Sequence, residues 1–409
     1  MPLPRSLAVL SLHTSPLAQP GAGDGGGMNV YVRSLASALA RAGLACDVWT
    51  RAEHPDQPDV VVVEPSFRVL HVTAGPREPL PKEELPSLVD EFTAAMLARV
   101  KTCGRDYDAL HGNYWLSGQV AHRLKHELSL PMMATFHTLS RVTGADGGVN
   151  GAGRAAGEDE IIRCADVILA STGTEAAQLR HLYGADPDRV EVLPPGVDHR
   201  TFSPGDRSLA RARLGHPGDE VPVMLFVGRV QPLKGLELAV ETLAETASDA
   251  VLWVVGGPSG PDGPAEFDRA QARAADLGLT DRVLFLPPVP HHRLVDYYRA
   301  ANVVVVPSRS ESFGLVALEA AACGTPVVAS AVGGLTGIVD DGVTGFLVEG
   351  RDPLEWATSV SLLLDAPEVA QAMGVRAAAR SGRWSWSMTA ARLRRLCADL
   401  VERTPVECS

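Results

Sequence analysis

The chain predicts two doubly wound α/β domains in succession, on three observations. Short apolar runs alternate with amphipathic stretches through the first half of the sequence, the pattern of βαβ units. The alternation stops at Pro194-Pro195-Gly196 and then restarts, and a length of 409 residues exceeds what one hydrophobic core holds. The predicted division is residues 1–195, residues 196–383, and a tail helix, 384–409, that returns to the first domain.

In chain order, the first-half strands are read at Leu7–Leu12, Cys46–Thr50, Arg68–Val72, Ala109–Gly112, Met132–Phe136, Asp166–Ala170 and Val190–Leu193. Helical spacing marks Val30–Ala42, Lys82–Cys103, Leu116–Leu128, Glu158–Arg163 and Thr174–Tyr183 between them. The second-half strands are read at Val223–Val227, Val251–Val255, Val283–Leu286, Val303–Val306, Pro326–Ala329 and Gly345–Val348. Their near-continuous Val and Leu content is expected of parallel strands covered on both faces. Ligands of such sheets lie beyond the strand C-termini, so two facing domains predict a cleft between them.

A net charge of −12 argues against general binding to nucleic acid or acidic membrane. Any bound phosphate then needs local cations and backbone amides. The six cysteines (Cys46, Cys103, Cys164, Cys323, Cys397, Cys408) are scattered without a Cys-x-x-Cys and read as free thiols in a reducing cytoplasm. No run approaches the ~18 apolar residues of a membrane span, and the N-terminal apolar stretch is short for a signal peptide.

Residues Gly21 to Asn29 read Gly-Ala-Gly-Asp-Gly-Gly-Gly-Met-Asn between a strand and a helix, a phosphate site by geometry and dipole. Gly21, Gly23 and Gly26 match Gly-x-Gly-x-x-Gly. The dinucleotide reading fails nonetheless. Eight residues, His13 to Pro20, intervene after the strand, and Asp47 opens the second strand where an acidic ribose ligand should end it. In the second half, Arg229 and Lys234 flank a turn after a strand and suit a diphosphate, although alone they fit a solvated surface pair equally well. The segment Pro307 to Glu319 carries Glu311 in a polar loop and Glu319 in the helix that follows. Carboxylates so placed accept from vicinal hydroxyls, while the Gly314 and Leu315 amides face an anion. In the first half, His111 to Tyr114 and His137-Thr138 end neighbouring strands. No His/Asp/Glu pattern has zinc spacing, and no Gly-x-Ser-x-Gly elbow occurs.

Together these elements resemble the retaining glycosyltransferases with two Rossmann-like domains, the GT-B type. Glu311 and Glu319 are similar to that group's E-x7-E motif, and Gly228-Arg229 with Lys234-Gly235 to its diphosphate clamp. A closer resemblance, to the D-inositol-3-phosphate glycosyltransferases of glycosyltransferase family 4, is carried by three segments. They are His13 to Pro20 running into Gly27-Met28-Asn29-Val30-Tyr31, Tyr114 to Gln119, and Gly256 to Pro261. It implies transfer of GlcNAc from UDP-GlcNAc to 1D-myo-inositol 3-phosphate with retention, the opening step of mycothiol biosynthesis.

The resemblance further implies Gln19, Pro20, Gly27, Arg229, Lys234, Val289, Glu311 and Glu319 at the donor. At the acceptor it implies His13, Asp24, Gly25, Gly26, Gly27, Met28, Asn29, Lys82, Tyr114, Thr138 and Arg154. His137, Arg229, Lys234 and Glu311 are the implied catalytic set. No cofactor is implied for the chemistry. A structural Mg2+ is implied at Tyr298, Arg299, Ala301 and Thr325, as is a cytoplasmic homodimer. The stretch Gly144 to Gly157, with six glycines in fourteen residues, is shorter than the family pattern. Competing readings are a related enzyme with another acceptor, similar to sucrose-phosphate synthase or phosphatidylinositol mannosyltransferase, and a non-catalytic sugar-nucleotide sensor. Such a sensor would have lost Glu311, Lys234 or Arg229, and all three are present.

Overall fold

The computed structural model describes residues 4–21, 23, 25–144, 151–216 and 221–408. The chain divides into two compact units. One comprises Met1–Ala18, Met28–Gly196 and Trp386–Ser409, the other Gln19–Gly27 and Val197–Ser385.

The first unit is built on an eight-stranded sheet of order β3-β4-β2-β1-β5-β6-β7-β8. Its strands are β1 (Ser6–Leu10), β2 (Ala45–Arg51), β3 (Val60–Glu64), β4 (Phe67–Val72), β5 (Ala109–Asn113), β6 (Met132–Thr135), β7 (Val167–Ala170) and β8 (Val190–Val192). Every pairing is parallel except β3 with β4. The edge strand β3 is absent from the sequence reading. It is a Val run between Pro58 and Pro65, partly exposed, so it lacks the half-buried alternation that marks a strand. The helix Gly27–Arg41 begins three residues before the predicted Val30. It absorbs Gly27, Met28 and Asn29 into its first turn.

The second unit holds a six-stranded parallel sheet of order β11-β10-β9-β12-β13-β14. Its strands are β9 (Val223–Val227), β10 (Val251–Val255), β11 (Val283–Leu286), β12 (Val303–Val306), β13 (Val327–Ser330) and β14 (Gly345–Val348). The two-residue period of a strand feeds two separate cores. Met224, Phe226, Val303 and Val305 enter one, and Val223, Leu225, Val304 and Val306 enter the other. Each fully buried Val or Leu contributes about 1.5–3 kcal/mol, so an unbroken apolar run is selected and both faces must carry helices.

The chain returns to the first unit through the helix Trp386–Val401. Thr389 donates to the Pro194 carbonyl at 2.8 Å, and Arg394 to the Ala42 carbonyl at 2.6 Å. Two expectations need correction. The segment Gln19–Gly27 groups with the second unit rather than with residues 1–195, because its own contacts run to Pro288 and Arg229. The cysteines are not all isolated thiols: Cys164, ending the helix Gly151–Cys164, and Cys408 of the returned tail lie side by side, their Cα atoms 5.2 Å apart.

Asp47, rejected as a ribose ligand, is a buried hub. It accepts from Arg68 Nε at 2.8 Å, Arg105 Nη1 at 2.6 Å and the Tyr107 hydroxyl at 2.7 Å. Replacing it with Ala leaves two guanidinium groups uncompensated. Removing one partner of a buried pair costs about 3–5 kcal/mol, and the partial exposure of both arginines places Asp47→Ala toward the lower end. Urea unfolding of the variant against the parent chain measures this.

Candidate active site

In the second unit the predicted donor residues gather where β9, β12 and β13 end. Lys234 lies in the 3-10 turn Pro232–Lys234 and Glu311 in the loop after β12. Their side chains form an ion pair, Nζ to Oε2 2.6 Å, with the Ser308 hydroxyl 3.3 Å from the same oxygen. Both side chains are half-buried. The loop after β13 braces Glu311 from behind: the Gly334 amide donates to the Glu311 carbonyl at 2.9 Å. A Cβ on Gly333, which has φ +48°, would sit 1.9 Å from that carbonyl oxygen, so only glycine permits the approach.

Glu319 lies in the helix Leu315–Ala322 and is 4% exposed. One carboxylate oxygen is 2.6 Å from His291 Nε2, and the other accepts from the Tyr298 hydroxyl at 2.8 Å. Burial and the adjacent carboxylate raise the Tyr298 phenol well above its ordinary range, so it remains a donor. The sequence reading missed His291. Its only signal is its place just after Pro287-Pro288-Val289-Pro290, beyond the end of β11.

The glycine loop belongs to this unit. Gln19 donates to the Pro288 carbonyl at 3.1 Å, beside Val289, and the Gly21 amide to the Gly25 carbonyl at 2.8 Å. A Cβ on Gly26 would lie 2.9 Å from Arg229 Nε, so the bare backbone lets the guanidinium approach. Pro20 and Gly27 belong to the same segment, and Gly27 opens the helix Gly27–Arg41. Thus Gly25 and Gly26, implied at the acceptor, and Gly27, implied at both donor and acceptor, group with the second unit. Asp24 lies outside the described residues.

In the first unit, three expected acceptor residues surround Tyr114. Lys82 Nζ lies 4.3 Å and Arg154 Cζ 5.0 Å from its ring centroid, and the His13 ring 4.5 Å from it. Arg154 also donates to the Thr138 carbonyl and hydroxyl at 2.7 and 3.0 Å. Its Nε reaches Glu158 at 2.7 Å. Glu158, unmarked in the sequence reading, is fully buried and also accepts from the Ser140 amide and hydroxyl and from Tyr183. It fixes the arginine. Tyr114 adopts φ +72° and His137 φ +62°, sparsely populated for side chains of this size and held by their surroundings. Asn29 turns inward, donating to the Thr14 hydroxyl and Ser15 carbonyl at 2.6 Å each. Its side chain shapes the His13–Pro20 segment. Met28 packs against the first unit's core.

The Asn113 carbonyl oxygen accepts from His137 Nε2 at 3.0 Å, which places the imidazole proton there. Burial, with His111 nearby, pushes the His137 pKa down to about 3, so the ring is neutral at physiological pH. For the expected metal ligands, Tyr298 and Thr325 are in contact: the Thr325 hydroxyl donates to the Tyr298 carbonyl at 2.6 Å. The carbonyls of Tyr298, Arg299 and Ala301 lie at the C-terminal end of the helix Leu294–Ala300, where the helix dipole favours a cation. The Arg299 guanidinium turns away to Ser203.

The depressed His137 pKa sets a pH dependence. From its ordinary 6.5 down to about 3 the unfolded chain binds a proton that the folded chain excludes. Its contribution is therefore complete above pH 6.5 and is lost progressively on acidification. His137→Gln should flatten the loss of stability between about pH 6 and pH 4, as read by urea unfolding at each pH.

Two family models match. Glycosyl transferase 4-like domain covers residues 26–196, and Glycosyl transferases group 1 covers residues 206–380. The chain is similar to the D-inositol 3-phosphate glycosyltransferase of Geodermatophilus obscurus, 49% identical over 95% of this chain and 88% of that one. It is similar to the protein of that name from Xylanimonas cellulosilytica, 48% identical over 98% of each. Among solved structures, sucrose-phosphate synthase from Thermosynechococcus elongatus is 35% identical with a TM-score of 0.90, covering 97% of this chain and 99% of the other. Paired parallel-sheet units with these neighbours make this a GT-B glycosyltransferase, and the chain belongs to the D-inositol 3-phosphate glycosyltransferase family.

Proposed function

We propose that this enzyme transfers GlcNAc from UDP-GlcNAc to 1D-myo-inositol 3-phosphate with retention at the anomeric carbon, opening mycothiol biosynthesis. The observation that carries the reading is the cluster around Tyr114. Lys82 and Arg154 bring two cations to one ring in the first unit of a net acidic chain, and a phosphate monoester is the ligand such a pair suits. The names of relatives near half identical to this chain supply the inositol.

On the donor side, Arg229 and Lys234 neutralise the diphosphate, with the amides that open the helix Leu315–Ala322 facing it. Glu311, oriented by Lys234 and Ser308, accepts from sugar hydroxyls. Glu319 keeps lone pairs for the ribose while His291 and Tyr298 hold its orientation. Neutral His137 serves the donor's 6-hydroxyl. The bond from the anomeric carbon to the β-phosphate oxygen breaks, and its electron pair leaves with UDP. An inositol hydroxyl oxygen bonds that carbon, and its proton passes to the departing phosphate. Glu311 and Glu319 are both engaged by other side chains, so we assign attack from the leaving-group face rather than through a carboxylate adduct. The oxygen donors at Tyr298, Arg299, Ala301 and Thr325 suit a hard cation, and a Mg2+ there would brace the helix end. The functional unit in this reading is a homodimer.

A second reading has one observation in its favour, the likeness to sucrose-phosphate synthase: the same cations would hold another sugar phosphate. UDP release from UDP-GlcNAc decides, measured with inositol 3-phosphate, with hexose phosphates and without acceptor. Stimulation by inositol 3-phosphate alone supports the proposal, and stimulation only by a hexose phosphate replaces it.

Two variants locate the roles. Lys234→Ala should lower turnover about a hundredfold to a thousandfold, the usual cost of one donor to a developing anion, with its melting curve little changed. Full turnover in that variant would remove the clamp assignment. Lys82→Ala should raise KM for inositol phosphate and leave donor hydrolysis nearly constant; a parallel loss of UDP binding would contradict the acceptor assignment.

A further inference from the structure

Outside the set of acceptor residues, the first unit brings together His122 and His126 of the helix Trp115–Leu128, Cys164 and Cys408. One ligand atom from each lies within 4.8 Å of all the others. We propose that these four side chains form a structural zinc site that clamps the C-terminal tail to the first unit. The proposal is independent of the sugar donor and acceptor.

Three features support it. The first is donor spacing. Zinc bonds of about 2.3 Å to sulfur and about 2.0–2.1 Å to nitrogen, set tetrahedrally, place neighbouring donors roughly 3.3–3.8 Å apart. Here His126 Nε2 is 3.3 Å from Cys408 Sγ and 3.6 Å from Cys164 Sγ, and His122 Nε2 is 3.8 Å from Cys408 Sγ. The two sulfurs themselves lie in direct contact, closer than that spacing, and a metal between them would draw them apart. The second is orientation. Residues four apart on a helix share a face, so both imidazoles point at one spot. His122 Nδ1 meets Glu160 at 3.2 Å, the outer carboxylate that turns a ligating histidine and leaves its Nε2 lone pair for the metal. The third is delivery of the tail. The Val406 amide donates to Asp166 at 2.6 Å, and Lys125 bridges Asp166 and the Cys164 carbonyl at 2.9 and 2.8 Å. These contacts set Cys408 beside Cys164 before any metal binds.

The proximity of Cys164 and Cys408 alone also fits a disulfide, for which a Cα separation of 5.2 Å is ordinary. A disulfide has no use for two imidazoles aimed at the same sulfurs or for Glu160 behind one of them. Two thiolates, formed by releasing two protons to solvent, neutralise Zn2+, and two neutral imidazoles complete a closed set of the structural kind. No linear motif marks this His/Cys set, which spans 287 residues from first ligand to last, 122–408 counted inclusively.

The test uses the full chain under reducing conditions, equilibrated with Zn2+, desalted and assayed for metal and free thiol. About one zinc per chain is expected, with Co2+ in its place giving a thiolate-to-metal charge-transfer band. His126→Gln and Cys408→Ser, at exposed and tail positions that spare the core, should each weaken zinc at least about a hundredfold and expose the tail to carboxypeptidase. Glu160→Gln should weaken it about tenfold to a hundredfold while keeping the cobalt band. Zinc below stoichiometry in the parent chain would overturn the proposal. So would retention by both ligand variants, or a Cys164–Cys408 disulfide that persists in reductant with no metal.

Discussion

A parallel strand buried on both faces leaves only its ends for chemistry, and this constraint organises the enzyme. In β9 and β12, alternate residues feed two separate cores, so no side chain within those strands is available to a ligand. What remains is the loop that leaves each strand and the helix that begins after it. Lys234, Glu311 and the Gly333-Gly334 turn all lie in such loops. The close backbone approach of one loop to the next sets the position of the Glu311 carboxylate.

Polar groups near the candidate site are held in place by other polar groups. Glu311 is paired with Lys234, Glu319 with His291 and Tyr298, and Arg154 with Glu158. Each charge thereby avoids the desolvation penalty of an isolated ion, and these side chains are held in fixed orientations. The neutral state of His137 has the same origin: burial lowers its pKa, and Asn113 fixes its proton. Strain accompanies this order, with Tyr114 and His137 both in left-handed backbone at the ends of β5 and β6.

The glycine segment illustrates how a motif acquires meaning from its surroundings. Its Gly-x-Gly-x-x-Gly spacing suits a dinucleotide, yet Asp47, the residue that would have to hold the ribose, is a buried counter-ion for Arg68 and Arg105. The segment groups with the second unit, where Gly26 makes room for Arg229. The family resemblance had placed these glycines at the acceptor. Their packing places Gly26 beside Arg229.

The sequence by itself determined the strand order along the chain, the break at Pro194-Pro195-Gly196 and the E-x7-E pair, because these rest on local periodicity and short spacing. It did not disclose β3, whose run of valines lacks apolar–polar alternation, or the partner roles of His291, Glu158 and Asn113, which carry no motif. The tertiary structure alone decided which unit holds the glycine loop. It alone brought Lys82 and Arg154 to one tyrosine and Cys408 to Cys164 across 244 residues. Contacts made by chain return depend on how sheets and helices pack, and no local pattern of residues encodes that distance.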